Sequence, residues 1–373
     1  MNLTDQKASA SATAAPQAAD PIEPIVRRSR FAPREEFPGD SEAWRVLAGR
    51  TGIAGAHHLP AMATALSRGF GHSGYALEAY EGERLTGALP LLAVESRLFG
   101  RFLVSLPYLN WAGVLAENVA SVRALVDEAI ALADERGVRY LELRQELAIE
   151  HPSLTPLKTE KVQMRAPLPG TEEGAWKMIR SSVRSQIRKG DKQGFRIEFG
   201  GDELLDDFYS VFSVNMRDLG TPVYGKRLFS ELLSIGPSRA ELCVVYQGPL
   251  AIACAMLFHI NGVTQAPSAS ALRSHRATAV NTWMYWRMMA RAVEKGMSTF
   301  DFGRSTMEGP TYDFKRKWGA EPQPAPWCYY VREGNPDEMR PEGGRYSAAI
   351  RTWQRLPVWL TRLVGPPIVR GIP

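Results

Sequence analysis

Two apolar-rich runs, YALEAY and LTGALPLLAVES, flank the polar residues 81–84, a pattern that predicts a β-hairpin. Beyond a loop the apolar spacing lengthens to that of a helix over residues 121–136. That run closes on Gly137, where a left-handed cap favours glycine, and feeds the strand-like VRYLELR. The second half of the chain repeats this order. YEGERLTGALPLL is echoed by YQGPLAIACAMLF, and ADERGVRYLELR by AVEKGMSTFDFGR. Tyr80 and Gly82 thereby align with Tyr246 and Gly248, Gly137 and Glu142 with Gly296 and Asp301, and Pro107 with Pro267. In each half a helix closes on glycine and runs into a short strand bearing an acidic residue, as a duplicated α/β unit would. The stretch AIACAMLFHI, Asn261-Gly262, VTQAPSASA predicts a further tight hairpin, because Asn-Gly suits a type I′ turn. Pro267 calls for a bulge or an edge in its returning strand.

A chain of 373 residues, 45% of them hydrophobic and 23% charged, holds two ordinary domains. The expected organisation is a disordered Ala/Pro-rich arm over 1–35, one domain over 36–165, a second over 166–335, and a loop with a basic amphipathic tail over 336–373. HPSLTPLKTEK, with two prolines and mixed charge, supplies the boundary. A net charge of +5 suits an anionic ligand but not a dedicated nucleic-acid binder, so no DNA partner is expected. Three cysteines cannot build a disulfide framework, and the first residues lack the apolar core of a secretory signal, which points to the cytoplasm. Two readings compete for the tail RTWQRLPVWLTRLVGPPIVRGIP. One is a terminal helix docked on the body. The other is peripheral attachment to the inner membrane through Trp353, Trp359 and Leu360, with Arg351, Arg355 and Arg362 facing lipid phosphates. Pro357 limits helix length in either case.

Several familiar signatures fail on context. GFGHSG precedes a strand instead of following one, so it offers no helix N-terminus to a dinucleotide. Asp-Phe-Gly at 301–303 lacks the other kinase motifs, and scattered histidines, His57 and His58 apart, with three unspaced cysteines predict no metal. In TEEGAWKMIRSSVRSQIRKGDKQG, one helix is expected, with Trp176, Ile179, Val183 and Ile187 packing and Lys177, Arg180, Arg184 and Arg188 forming an adjacent cationic stripe. That stripe is either a solvated face or a phosphate-binding site built on Arg180, Arg184 and Arg188. Asn215 falls on the apolar stripe of Phe208, Phe212 and Leu219, where a buried amide needs a partner. Just beyond, Arg217, Asp218 and Tyr224 are expected on a substrate-contacting loop. Asp301 and Arg304 form either a plain buried ion pair or an acid and a cation that orient an amine and a phosphate. Tyr312, Lys315 and Trp318, spaced by three on a short helix, place a candidate proton donor, a candidate oxyanion stabiliser and an aromatic on one face.

NMRDLGTPVYGKRLF, FDFGRS and TYDFKRKWGAEP, in this order, resemble the FemAB-related transferases associated with exosortase (PEP-CTERM) and exopolysaccharide gene clusters, within the GNAT superfamily. The likeness runs from about Phe102 to the end of the chain. It implies an α/β fold of two tandem GNAT-like domains with mixed, mostly antiparallel sheets flanked by helices. In the best-understood relatives it implies transfer of an amino acid from aminoacyl-tRNA to an amine on a peptidoglycan precursor. In such a fold the strands part near Pro267, the gap admits the acyl donor, and Ser268 and Ser270 line it. One departure concerns the donor: where acetyltransferases carry a glycine-rich loop for the coenzyme A pyrophosphate, this chain has SALRSHRATAVNTW. Arg273 and Arg276 could replace the missing backbone donors, with Asn281 capping the following helix. The expected activity is N-acylation or aminoacylation of an amine on a sugar or peptide precursor of the cell envelope or an exopolysaccharide. The donor is aminoacyl-tRNA or acyl-CoA, with no tightly bound cofactor. The alternatives are an acyl-CoA-dependent acetyltransferase acting on a small metabolite and a non-catalytic scaffold for polysaccharide assembly.

Overall fold

The computed structural model describes residues 23–39, 41–51, 58–156, 161–334 and 347–373. The first half contains β1 (Ile25–Phe31), α1 (Ser41–Thr51), α2 (Pro60–Phe70), β2 (Gly74–Glu81), β3 (Arg84–Ser96), β4 (Gly100–Val104) and β5 (Leu115–Ala116). It closes with α3 (Val119–Glu135), β6 (Tyr140–Leu143) and β7 (Thr155–Pro156). The second half contains β8 (Lys161–Pro167), α4 (Glu172–Met178), α5 (Ser181–Asp191), β9 (Phe195–Gly200), α6 (Leu205–Leu219) and α7 (Lys226–Leu233). It continues through β10 (Ala240–Gln247), β11 (Leu250–Ile260), β12 (Val263–Ala271), α8 (Val280–Glu294), β13 (Thr299–Thr306), α9 (Pro310–Arg316) and β14 (Glu321–Pro324). A strand, β15 (Cys328–Val331), and two helices, α10 (Ser347–Trp353) and α11 (Val358–Val369), follow.

The strands form two mixed sheets, ordered β1-β2-β3-β4-β6-β15-β7, with β5 paired to β3, and β14-β8-β13-β12-β11-β10-β9. Each contains one parallel pair in an otherwise antiparallel ladder, β4 with β6 and β12 with β13. The internal repeat is visible in that pairing: Glu142 stands opposite Val104, and Asp301 opposite Gln265, each at the last paired position before the strands part. The aligned glycines also match in conformation, Gly82 and Gly248 at φ 63° and 57°, Gly137 and Gly296 at 56° and 72°. Asn261 (φ 50°) and Gly262 (φ 77°) turn β11 into β12 as a type I′ pair should. The register between these strands slips between Met256 and Phe258, opposite Ala266 and Pro267, so the proline is housed in a bulge.

Two cores cover the two faces of the second sheet. On one side α4, α5 and α8 bury Ile179, Val183, Ile187, Met284 and Trp286 against Val245 and Ala255. On the other, α6 and α7 share a single core with α1, α2 and the first sheet, in which Phe208, Phe229 and Phe258 meet Phe31, Trp44 and Leu66. Gly69 makes the contact of α2 with α7 close: a Cβ there would lie 2.9 Å from Leu228 Cα. α3 covers the remaining face of the first sheet.

Four expectations change. The arm expected over 1–35 gives way at Ile25 to an edge strand that pairs with β2 through Phe31, while residues 1–22 lie outside the described residues. Arg27, Arg28 and Arg30 are all exposed, and only Phe31 is buried, so its apolar content is low. Cys328–Val331, expected with the second domain, returns to the first sheet between β6 and β7. The single helix expected around Trp176–Ile187 is two, because Ile179 and Arg180 adopt extended backbone (ψ 148° and 149°) while the apolar spacing runs on through the break. Leu219, expected on the packed stripe of α6, is exposed. His57, part of the linker at 157–160 and the polar loop at 335–346 lie outside the described residues. No described helix is long and apolar enough to cross a membrane.

Candidate functional site

β12 and β13 stay paired for three residues, Val263–Gln265 against Thr299–Asp301, and then separate; β12 continues with β11 and β13 with β8. This opens a fork in the second sheet. The loop at 105–113 of the first half sits in it, held in a strained backbone with Leu106 at φ 53° and Tyr108 at φ 76°. Tyr108 Oη hydrogen-bonds Ser268 Oγ on the β12 arm at 2.9 Å. On the β13 arm, a Cβ at Gly303 would lie 3.5 Å from Asn110 Nδ2. Ser270, two residues further along β12, accepts a 3.0 Å hydrogen bond from Asn215 Nδ2, which supplies the partner that amide requires. Tyr224 packs edge-on against Tyr108 with ring centroids 5.1 Å apart. Burial pushes the Tyr108 phenol well above its ordinary range and raises that of Tyr224.

Asp301 is buried at the point of the fork. Its carboxylate accepts from Gln163 Nε2, from the Gly303 amide at 2.7 Å and from Arg165 Nε at 3.3 Å. Burial pushes the acid up, against the opposing pull of Arg165, the Gly303 amide and Gln163. Lys315, also buried, donates to the carbonyls of Gly303 (3.1 Å) and Arg304 (2.9 Å). Burial lowers its ammonium to about 8, although the Asp301 charge pulls the other way. A buried carboxylate and a buried ammonium thus flank one glycine turn.

The ion partner of Asp301 is Arg165 and not the expected Arg304. Arg165 lies directly across the antiparallel ladder from Asp301, whereas a bulge at Gly303 (φ 75°) turns Arg304 away. Arg304 instead lies over the Trp327 ring at 3.7 Å, and the Arg144 guanidinium also meets that ring at 4.5 Å. Arg165 also bonds Glu146 at 2.6 Å and covers the Trp111 ring at 4.1 Å, tying the first half to Asp301. Arg165, Gln163, Glu146 and Tyr108 carry no local signature in the chain; only the alignment of Pro107 with Pro267 marks this region.

Other candidates lie apart from the fork. Trp318 is fully buried past the end of α9, packed on Phe302 and Phe314, so it is core and not a substrate contact. Tyr312 is partly buried, and its hydroxyl accepts from Arg316 at 3.3 Å. Arg217 and Asp218, expected on a loop, end α6. They pair at 2.7 Å, Arg217 bonds the Leu356 carbonyl, and the Asp218 carbonyl accepts from Arg273 and Gln354, so they clasp the C-terminal segment. Arg184 donates to the Trp176 and Ile179 carbonyls that end α4, Arg188 leans over Trp176, and Arg180 is the exposed residue preceding α5. Ala279 (φ 63°), not Asn281, occupies the cap position of α8. Among the described residues no group of three His, Cys, Asp or Glu is placed to hold a metal ion.

At the equivalent point in the first sheet the acidic residue is held differently. Glu142 accepts from Arg144 Nε at 2.6 Å and from Tyr329 Oη at 2.9 Å, and β15 lies alongside β6 there.

Residues 177–316, which contain the fork, match the family described as acetyltransferase (GNAT) domain. Solved structures with the same fold include FemX, at a TM-score of 0.64 and 13% identity over 81% of this chain and 97% of that one. The C-terminal domain of a putative lysylphosphatidylglycerol synthetase from Agrobacterium fabrum follows at 0.53 and 13%, over 84% and 94%. A tandem GNAT protein from the clavulanic acid biosynthesis pathway gives 0.50 and 14%, over 84% and 99%. No curated protein sequence matches the chain. The fold is therefore α/β, two GNAT-like units in tandem with mixed sheets flanked by helices. The protein is an acyltransferase, and the stretch that matches the GNAT domain lies in its second half.

Proposed function

We propose that the protein transfers an acyl or aminoacyl group to an amine on a cell-envelope or exopolysaccharide precursor, as in PEP-CTERM/exosortase-associated systems. It would work from the cytoplasmic side, in peripheral contact with the inner membrane. The observation that carries this reading is the fork between β12 and β13, with the Asp301 and Lys315 pair at its base. The acyl donor, an acyl-CoA or an aminoacyl-tRNA, enters the fork between Ser268 and Ser270 on one arm and Gly303 on the other as the loop at 105–113 withdraws from it. The acceptor amine attacks the carbonyl carbon directly; the new C–N bond forms as the thioester or ester bond breaks, and the leaving sulfur or oxygen takes a proton. The Lys315 ammonium stabilises the negative charge that develops on the carbonyl oxygen. Asp301 fixes the Gly303 turn on which Lys315 is held, and the proton that the amine gives up ends on the leaving group. Asn215 and Tyr224 hold the walls, and the exposed Arg180 with Arg188 meets phosphates of the donor carrier. One neighbour in fold is named a lysylphosphatidylglycerol synthetase, which agrees with an amine-bearing group moving onto an envelope molecule. The test is the mass of the extracellular polysaccharide and its lipid-linked precursors with and without the gene. Loss of a mass increment identifies acyl group and acceptor together; identical masses refute the acceptor class.

A further inference from the structure

α11 buries Thr361, Gly365 and Val369 against the body, and Arg362 reaches inward to Ser213 Oγ at 2.8 Å and over the Tyr209 ring. Two residues away from that stripe, about 200° round the helix, Trp359 and Leu363 stand 67% and 68% exposed, followed by exposed Pro367. At the far end of the helix, Gly371 packs on Ser96 and Phe99, the turn that presents Leu98 at 77% exposure. At the near end, Ile350 and Gln354 pack on Gly220, beside Leu219 at 53%. Four of the most exposed large apolar side chains among the described residues therefore lie on or beside the C-terminal helix pair. Residues 347–373 carry four arginines and no acidic residue. Arg351 and Arg355 are exposed, with no ion pair among the described residues.

We infer that this outer face docks the protein on an anionic bilayer surface, with Trp359 and Leu363 entering the acyl boundary and Arg351 and Arg355 meeting lipid phosphates. It deepens the proposed function, which places the acceptor at the membrane. Exposed apolar side chains on a segment with exposed arginines and no acidic residue match an interfacial helix, where both terms add. A second copy fits less well, because a two-fold interface would set these arginines against their own counterparts.

The test is flotation of the full chain with vesicles of phosphatidylcholine alone and of phosphatidylcholine mixed with phosphatidylglycerol. Binding to the mixed vesicles is expected, with roughly a tenfold loss in Trp359→Ser/Leu363→Ser and a comparable loss in Arg351→Glu/Arg355→Glu. The inference is overturned if neither vesicle binds, or if both variants float like the parent. It is also overturned if sedimentation shows self-association that the Trp359→Ser/Leu363→Ser variant abolishes, which would assign the face to a second copy. Vesicle binding together with unchanged precursor masses would refute the acceptor class and leave the docking face standing. A lost mass increment without vesicle binding would do the reverse.

Discussion

At the scale of single residues, Lys315 is the group whose replacement says most. Its ammonium sits between two carbonyl oxygens beside a buried carboxylate, and burial brings it to about 8 from an ordinary 10.5. The charge is present below pH 8 and disappears as pH rises through it, so any rate that needs the ammonium falls there. The same lowering means that burial of the charge costs stability at neutral pH, a cost relieved as pH rises from about 8 toward 10.5. Lys315→Met therefore slows transfer by on the order of a hundredfold or more while leaving the thermal midpoint equal or higher. Lys315→Arg, which stays charged, removes the limb near pH 8 from the pH–rate profile. A purely structural Lys315 would show the opposite combination, a lowered midpoint and an unchanged profile.

At the scale of elements, α11 docks through a glycine that admits no side chain. A Cβ on Gly365 would lie 2.8 Å from the Val223 amide nitrogen and 3.1 Å from its carbonyl oxygen, so backbone would have to move. Gly365→Val is expected to cost about 1–3 kcal/mol. It should also make the segment at 354–357, between α10 and α11, the first site cut in limited proteolysis. Docking of this kind is not written in the helix itself, which carries two internal prolines, Pro366 and Pro367. Elements fixed by short-range chemistry were legible: the Asn261-Gly262 turn, the glycine-stopped helix ahead of VRYLELR, and the bulge at Pro267. The break between α4 and α5 was not, because apolar spacing continues across two extended residues. Nor was β1, whose Arg27, Arg28 and Arg30 read as a solvated arm until β2 supplies the ladder. The site was half legible. Asp301 and Lys315 of the candidate site lie close in the chain and could be picked out from it, while Arg165 reaches Asp301, and Tyr108 reaches Ser268, from strands and loops more distant in sequence, where spacing carries no information.

At the scale of the whole molecule, the two units are sewn together at three levels, and this sets how the protein unfolds. One core holds Phe31, Trp44 and Leu66 with Phe208, Phe229 and Phe258, so neither sheet keeps its inner face covered without the other. β15 leaves the second unit to complete the first sheet, pairing Tyr329 with Glu142. Trp327, just before it, lies between the arginines that follow the two aligned acidic positions, Arg144 and Arg304, and donates its indole N–H to the Asn110 carbonyl at 2.8 Å. Tandem repeats joined only by a linker would melt in two steps. Here the loss of either sheet exposes the core of the other and releases the loop from the fork, so intermediates are penalised by both units at once. Calorimetry is therefore expected to give one transition whose measured enthalpy equals the van't Hoff value, with far-ultraviolet dichroism and tryptophan emission changing together. Trp327→Ala is expected to lower that single midpoint by about 3–5 kcal/mol of stability without splitting it. Two resolved transitions in the parent would show that the shared core is a contact between independent domains, and the fork would then be free to open by their separation.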